Sequence, residues 1–297
     1  RKKADLLYTV STNVVRDCLG DPRSEAIVPR TRRVAESTID FVLRSDRSVA
    51  QLATLMATDY YTYTHSINVS VFSVALAHRV GVARDDLAEF ATGALLHDVG
   101  KAEIPPELLT KSGPLSAEEM QGMQQHVRIG ERLLTTHQRL SAFAMLPVKQ
   151  HHEKIDGSGY PRGLEKDQVH LFGRISAIAD CFDAMTTDRP YRKGMSLEAA
   201  VGELVRNAGT QFDPRVVDAF LQLVREGKAR AVLEGGSAPV LEARPAAPAD
   251  GARPRLRMGG GLLAPASEAH GTPDSPLPAL RPRGAAREAP GPRARGA

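Results

Sequence analysis

The chain has 297 residues, 42% of them hydrophobic, enough to bury a sizeable core in one or two domains. Its formal net charge of +4 is carried by residues 240–297, where nine Arg stand against five Asp or Glu, so the rest is close to neutral and gives no electrostatic case for binding nucleic acid. No run of about 18 apolar residues offers a membrane span, and two distant cysteines, Cys18 and Cys181, point to a reducing, cytoplasmic compartment and exclude a thiolate metal cage.

The opening RKKADLLYTV has no signal-peptide layout and no initiator Met, so a fragment or a processed start is expected. Residues 1–50 read as an N-terminal helical segment broken by GDPRSEAIVPR. Next, ATLMATDYYTYTHSINVSVFSVALAHRVG keeps apolar residues at helical spacing and ends at Gly81, where a left-handed terminator belongs. RDDLAEFATGALLHDVG repeats the device and is expected to stop at Gly100. Ser116 with Glu119 forms a capping box that opens a helix through EEMQGMQQHVRIGERLL. SAFAMLPVKQHH reads as a further helix, with Pro147 tolerable near its start or as a kink. GRISAIADCFDAMTT, SLEAAVGELVRNAG and DPRVVDAFLQLVREG supply three more, the last with Asp213 as N-cap and Pro214 as first helical residue. From about residue 239 Pro, Ala, Gly and Arg dominate without apolar period, the composition of a disordered tail (239–297). Strand signals are sparse. The expected fold is all-α: one helical bundle with a disordered C-terminal tail.

The histidines carry the functional signal. The stretch HHEKIDGSGYP (151–161) sets two side by side at the mouth of a glycine-rich turn, where helical neighbours point about 100° apart and cannot share a core face. His65 lies mid-helix, His97 and Asp98 sit at a helix end, His126 lies inside the capped helix, and His151 with His152 close the next. Asp180 sits among Ile, Ala and Phe, a costly place for a carboxylate unless something cationic neutralises it. His78, His137, His170 and His270 read as ordinary core or surface histidines. The other seven residues are too many for one tetrahedral zinc and fit two metals that share a bridge, with Asp98 as the natural shared ligand. Nitrogen and oxygen donors without sulfur suit Fe, Mn, Zn or Ni, and an octahedral preference favours iron or manganese. Two metals about 3.5–4 Å apart are suited to clamping a phosphoryl group for in-line attack.

HDVGK (97–101), HHEKIDGSGYPRGL (151–164) and IADCFDAMTTDRPYRKGMS (178–196) resemble the HD-GYP domain, a subclass of the HD phosphohydrolases, and the likeness runs over roughly residues 50–225, with domain bounds of 51–228. The resemblance implies an HD-type helical bundle that hydrolyses the bacterial second messenger cyclic di-GMP to linear pGpG and often on to GMP. It further implies His65, His97, Asp98 and Asp180 on one metal, with Asp98 bridging to a second held by His126, His151 and His152. Lys101 would put its ammonium on the scissile phosphate, Tyr160 would contact the substrate, and Arg189 and Arg192 would grip its second phosphate or a guanine face. Some members carry a Glu one helical turn before the first histidine, which recruits a third metal. That position here is Tyr61, so a two-metal centre is expected. Two other readings remain open: a module of low activity that senses cyclic di-GMP or engages GGDEF-domain proteins, and an HD phosphohydrolase acting on a nucleotide tri- or pyrophosphate, which the GYP loop and RPYR disfavour. Asp183 could orient a ligand or serve as an ordinary polar partner, and Glu153 could back the histidines or be a solvated helix-end acid.

Overall fold

The computed structural model describes residues 2–44, 61–137, 140–188 and 193–226. These form an all-helical bundle: α1 (Lys2–Gly20), α2 (Ile27–Arg44), α3 (Tyr61–Arg79), α4 (Arg84–Leu96), a 3₁₀ turn (Val99–Glu103), α5 (Pro106–Leu109), α6 (Ala117–His137), α7 (Met145–Gln150), a second 3₁₀ turn (Lys166–Gln168), α8 (Leu171–Thr186), α9 (Leu197–Arg206) and α10 (Pro214–Arg225). Among the described residues extended pairing is limited to two isolated bridges, Asp156 with Glu165 and Ala208 with Phe212. The expected boundaries near residues 50 and 228, and the tail from 239, lie outside the described residues.

Helix α3 is the axis. Every side chain from Thr64 to Ala77 is buried, which its sequence allows because small Ser and Thr alternate with Val, Ile, Leu and Ala, leaving no polar face to solvate. Phe72 meets Phe182 of α8 edge-on at 5.1 Å, and Phe182 meets Phe220 of α10 at 4.7 Å, while Phe90 of α4 stacks on Phe172 of α8 at 4.3 Å. Such a buried ring is worth about 3–5 kcal/mol against truncation to Ala. Helices α1 and α2 contribute Val14, Val15, Val34 and Ile39 to the same core. Between them lies an apolar groove of about 690 Å³, lined by Leu6, Val10, Val34 and Phe41, that contains none of the histidines.

The terminators fall where the sequence sets them, with two exceptions. Gly81 adopts φ +85 and Val82 N–H reaches back to Ala77 O at 2.9 Å, closing α3. Ser116 and Glu119 exchange their capping hydrogen bonds (3.2 and 2.7 Å), and Asp213 accepts from Arg215 N at 2.9 Å ahead of Pro214. By contrast, α4 ends at Leu96 rather than at Gly100. Gly100 sits inside the following 3₁₀ turn, where a Cβ would lie 1.9 Å from His126 O. The glycine is there for close approach of two backbones, not for a left-handed turn. The second exception is α7, which spans only Met145–Gln150, because Ser141 accepts from Ala144 N (3.1 Å) and holds the preceding residues in turns.

Candidate metal centre

The helix order brings His65 (α3), His97 and Asp98 (end of α4), His126 (α6), His151 and His152 (end of α7) and Asp180 (α8) to one place. Their ligand atoms fall into two groups, His65 with His97 and Asp98, and His126 with His151 and His152, the atoms of each group lying within 4.8 Å of one another. Asp98 stands between the groups. Its Oδ2 lies 3.5 Å from His65 Nε2 and 3.4 Å from His97 Nε2, while its Oδ1 lies 3.4 Å from His126 Nε2 and 3.8 Å from His151 Nε2. Asp180 Oδ1 adds a contact to His65 Nε2 at 3.2 Å, and its Oδ2 lies 3.8 Å from His152 Nδ1.

The outer nitrogens fix the tautomers. His97, His126 and His151 each direct Nδ1 at a backbone carbonyl three or four residues back, Ala94 O (2.8 Å), Met123 O (2.7 Å) and Pro147 O (2.8 Å). A carbonyl can only accept, so each Nδ1 carries the proton and each Nε2 presents a lone pair inward. His126 Nε2 and His151 Nε2 then face each other at 3.3 Å as two acceptors with no proton between them. His97 Nε2 and Asp98 Oδ1 are buried without a hydrogen-bond partner. Converging acceptors of this kind are stable around a cation, and the residues therefore fit a metal centre.

Charge points the same way. Burial pushes His126 down to about 4 and His152 down to about 3, and it pushes His151 well below the ordinary imidazole range, so all three stay neutral and able to ligate. Burial opposes charge on Asp98 and Asp180 as well, but it is outweighed, by Lys101 and the His65 hydrogen bond around Asp98 and by the His65 hydrogen bond around Asp180. Both carboxyls lie well below their usual range. His65 goes the other way: despite burial, hydrogen bonds to Asp180, Asp183 and Asp98 raise it, so that proton and metal ion compete for the same Nε2. Burial and Asp180 push the neighbouring Cys181 thiol up to about 12, and its sulfur belongs to neither ligand group.

Two supporting acids emerge. Asp183 is buried and accepts from His65 Nδ1 (2.7 Å), Asn68 Nδ2 (2.5 Å) and Thr187 Oγ1 (3.2 Å). It orients a histidine of the centre; its i+3 spacing from Asp180 hinted at this, whereas nothing in the sequence marked Asn68. Glu153 neither backs the histidines nor faces solvent. It is 2% exposed and accepts from the backbone N–H of Arg162 (2.8 Å) and Leu164 (2.9 Å), pinning the loop that carries Tyr160. Within that loop Gly159 is obligatory, since a Cβ would lie 2.3 Å from Lys154 N. Tyr160 donates its N–H to His152 O (3.1 Å) and stacks on the His152 ring at 4.6 Å. Lys101 reaches Asp98 Oδ2 at 2.5 Å from the edge of the centre. Arg189 and Arg192 lie outside the described residues, as does the side chain of Tyr61.

A family model described as HD domain matches residues 30–216. The chain belongs to the HD domain family. HDVGK and the GYP loop, which carry the HD-GYP resemblance, both lie within the matched residues. A cyclic di-GMP phosphodiesterase of Pseudomonas aeruginosa is 37% identical over 183 residues, 62% of this chain and 44% of its own length. One from Thermotoga maritima is 39% identical over 169 residues, 57% of this chain and 46% of its own length. A 3'3'-cGAMP-specific phosphodiesterase of Vibrio cholerae is also 39% identical, over 54% of this chain and 31% of its own. The chain thus spans less than half the length of these relatives. A solved HDG"Y"P protein from Bdellovibrio bacteriovorus shares the fold, with a TM-score of 0.65 at 20% identity over 75% of this chain and 71% of that one. No helix among the described residues is long and apolar enough to cross a membrane.

Proposed function

We propose that this HD domain is a metal-dependent phosphodiesterase that hydrolyses cyclic di-GMP to pGpG, with GMP as a further product. The observation that carries the reading is Asp98, whose two oxygens face two separate groups of inward-pointing imidazole nitrogens. In this reading His65, His97, Asp98 and Asp180 would hold one divalent ion and Asp98, His126, His151 and His152 a second, with iron or manganese favoured by an octahedral preference among metals that suit nitrogen and oxygen donors. Ions so held supply Lewis acidity toward a phosphoryl oxygen and acidify water.

The chain's own groups would do the rest. Lys101, a compact charge on a flexible stem beside Asp98, would meet the reacting phosphate. Tyr160 keeps its phenol proton, since burial and then Asp180 and Asp98 raise it well above the usual range, so it can donate a hydrogen bond while its ring offers a face to a guanine. Arg189 and Arg192 would grip the second phosphate or a guanine face. Further parts of the proposal are GGDEF-domain proteins as partners, a cytoplasmic location, domain bounds of 51–228 and a tail from 239 that catalysis does not need.

Relatives named for cyclic di-GMP and for 3'3'-cGAMP lie at similar identity to this chain, so base selectivity needs its own test. Metal-loaded protein is given both dinucleotides in competition and the products are separated by chromatography. Cyclic di-GMP should be consumed first, with pGpG appearing before GMP. Preference for 3'3'-cGAMP would overturn the substrate assignment, and hydrolysis of neither would turn the reading toward a sensing module.

A further inference from the structure

The two halves of the centre are not supported alike. Of the histidines whose Nδ1 partner is defined, His97, His126 and His151 lean on neutral backbone carbonyls, and His65 alone leans on an anion, Asp183. Both oxygens of Asp183 are committed, Oδ2 to His65 (2.7 Å) and Oδ1 to Asn68 (2.5 Å) and Thr187 (3.2 Å), so it acts on the centre through the imidazole and not as a ligand. A carboxylate behind an imidazole raises the donor strength of its other nitrogen and locks the ring against rotation. On the same side Asp180 Oδ1 lies nearer to His65 (3.2 Å) than Asp180 Oδ2 does to His152 (3.8 Å). The opposite side has three imidazoles and one oxygen of the shared Asp98. Lys101 also lies on Asp98 Oδ2, at 2.5 Å and on a partly exposed, flexible stem.

Resting on the two-ion reading above, we infer that Asp183 is a positioning residue that makes the two metal positions unequal, so that the His65–His97–Asp98–Asp180 position fills first and binds more tightly. Asn68 and Thr187 serve the same end by fixing the carboxylate that fixes His65.

The test titrates the metal-free 297-residue chain with Mn²⁺ alone, following free Mn²⁺ by its electron paramagnetic resonance signal and total bound metal by elemental analysis. The unaltered protein should take up two ions in two steps at least about tenfold apart. Asp183→Ala should weaken the tighter step by about ten- to a hundredfold and leave the weaker step within about threefold. Asp183→Asn, whose amide oxygen still accepts from His65 Nδ1, should lose less on the same step, and it carries the test if thermal melting shows that the alanine variant does not fold. Uptake of a single ion by the unaltered protein would sink the two-ion reading itself. Two ions of equal affinity, or a folded Asp183 variant that shifts both steps alike or neither, would leave two ions standing and overturn the inequality.

Discussion

The two walls of the centre are built on different principles. The histidine wall rests on local geometry: His97, His126 and His151 each find an acceptor one helical turn back on their own segment, so any helix reaching this point would orient its ring. The loop wall, from Glu153 to Leu164, has no regular structure and depends on one buried carboxylate holding two backbone N–H groups nine and eleven residues away. It is braced from α6 by Arg128, which donates to Pro161 O, and by the Arg162–Glu131 pair. The rings of His97, His126 and His151 are therefore each held by a local contact, whereas the loop that carries Tyr160 is held by a few longer-range ones. Damage to the two walls should separate.

The largest effect is expected at Asp98, the residue both groups share. Asp98→Ala should drop hydrolysis to the detection floor and reduce bound metal, read by elemental analysis of the same sample. Retention of both ions would show that the groups do not depend on a common ligand. Glu153→Ala comes next, because it removes the shared acceptor of the Arg162 and Leu164 N–H groups and with it the pin on the loop. We expect KM to rise about tenfold or more with metal content unchanged, and Glu153→Gln, which keeps one acceptor oxygen, to recover part of the loss. If Glu153→Ala also stripped the metal, the two walls would be one unit and the comparison would fail.

A smaller effect should come from the support beneath the loop. Arg174 reaches Val169 O (2.7 Å), Lys166 O (3.0 Å) and Asp213 (2.6 Å), tying the loop's exit to the N-cap of α10. Although burial opposes its charge, hydrogen bonds from Arg215 and Arg174 lower Asp213 to about 2. A carboxyl depressed on folding contributes stability that is present above its unfolded value near 3.9 and is lost as pH falls through the folded value. Denaturant unfolding should therefore show Asp213→Asn less stable than the unaltered chain at neutral pH, with the gap closing between about pH 4 and pH 2; a gap independent of pH would refute the assignment. The smallest effect is expected at His78, exposed near the end of α3, where alanine should change stability by no more than about 0.5 kcal/mol and leave hydrolysis intact.

How much of this was legible follows the same division. Helices with a clear apolar period and a chemically marked end, such as α6 with Ser116 and α10 with Asp213, are readable because the capping side chain and its N–H partner lie within three residues. The histidines and aspartates stood out as scarce, ionisable residues on separate helices, and the long motifs linked them to a family. What stayed hidden acts through space. The spacing of Asp183 from Asp180 put it on the face of the site, but its partner His65 lies 118 positions away and no local pattern names that partner. Glu153 binds main-chain groups, which every residue type possesses, so its targets leave no trace in composition. Gly100 looked like a stop signal because glycine serves both left-handed turns and close contacts, and only the partner backbone tells them apart. Arg189, Arg192 and the tail fall outside the described residues.

That contact at Gly100 reaches beyond the helix boundary it marks. Gly100 follows the HD pair by two positions, and its Cα faces the carbonyl of His126 so closely that no side chain fits between. The distance across the centre, from Asp98 to the histidine on α6, is thus gauged by main chain against main chain and not by the bulk of intervening side chains. Core residues elsewhere in the bundle can be exchanged during evolutionary drift, at a cost in stability, while the spacing of the ligand groups stays constant. The same contact makes the site unforgiving at one position, where even a methyl group would act as a wedge.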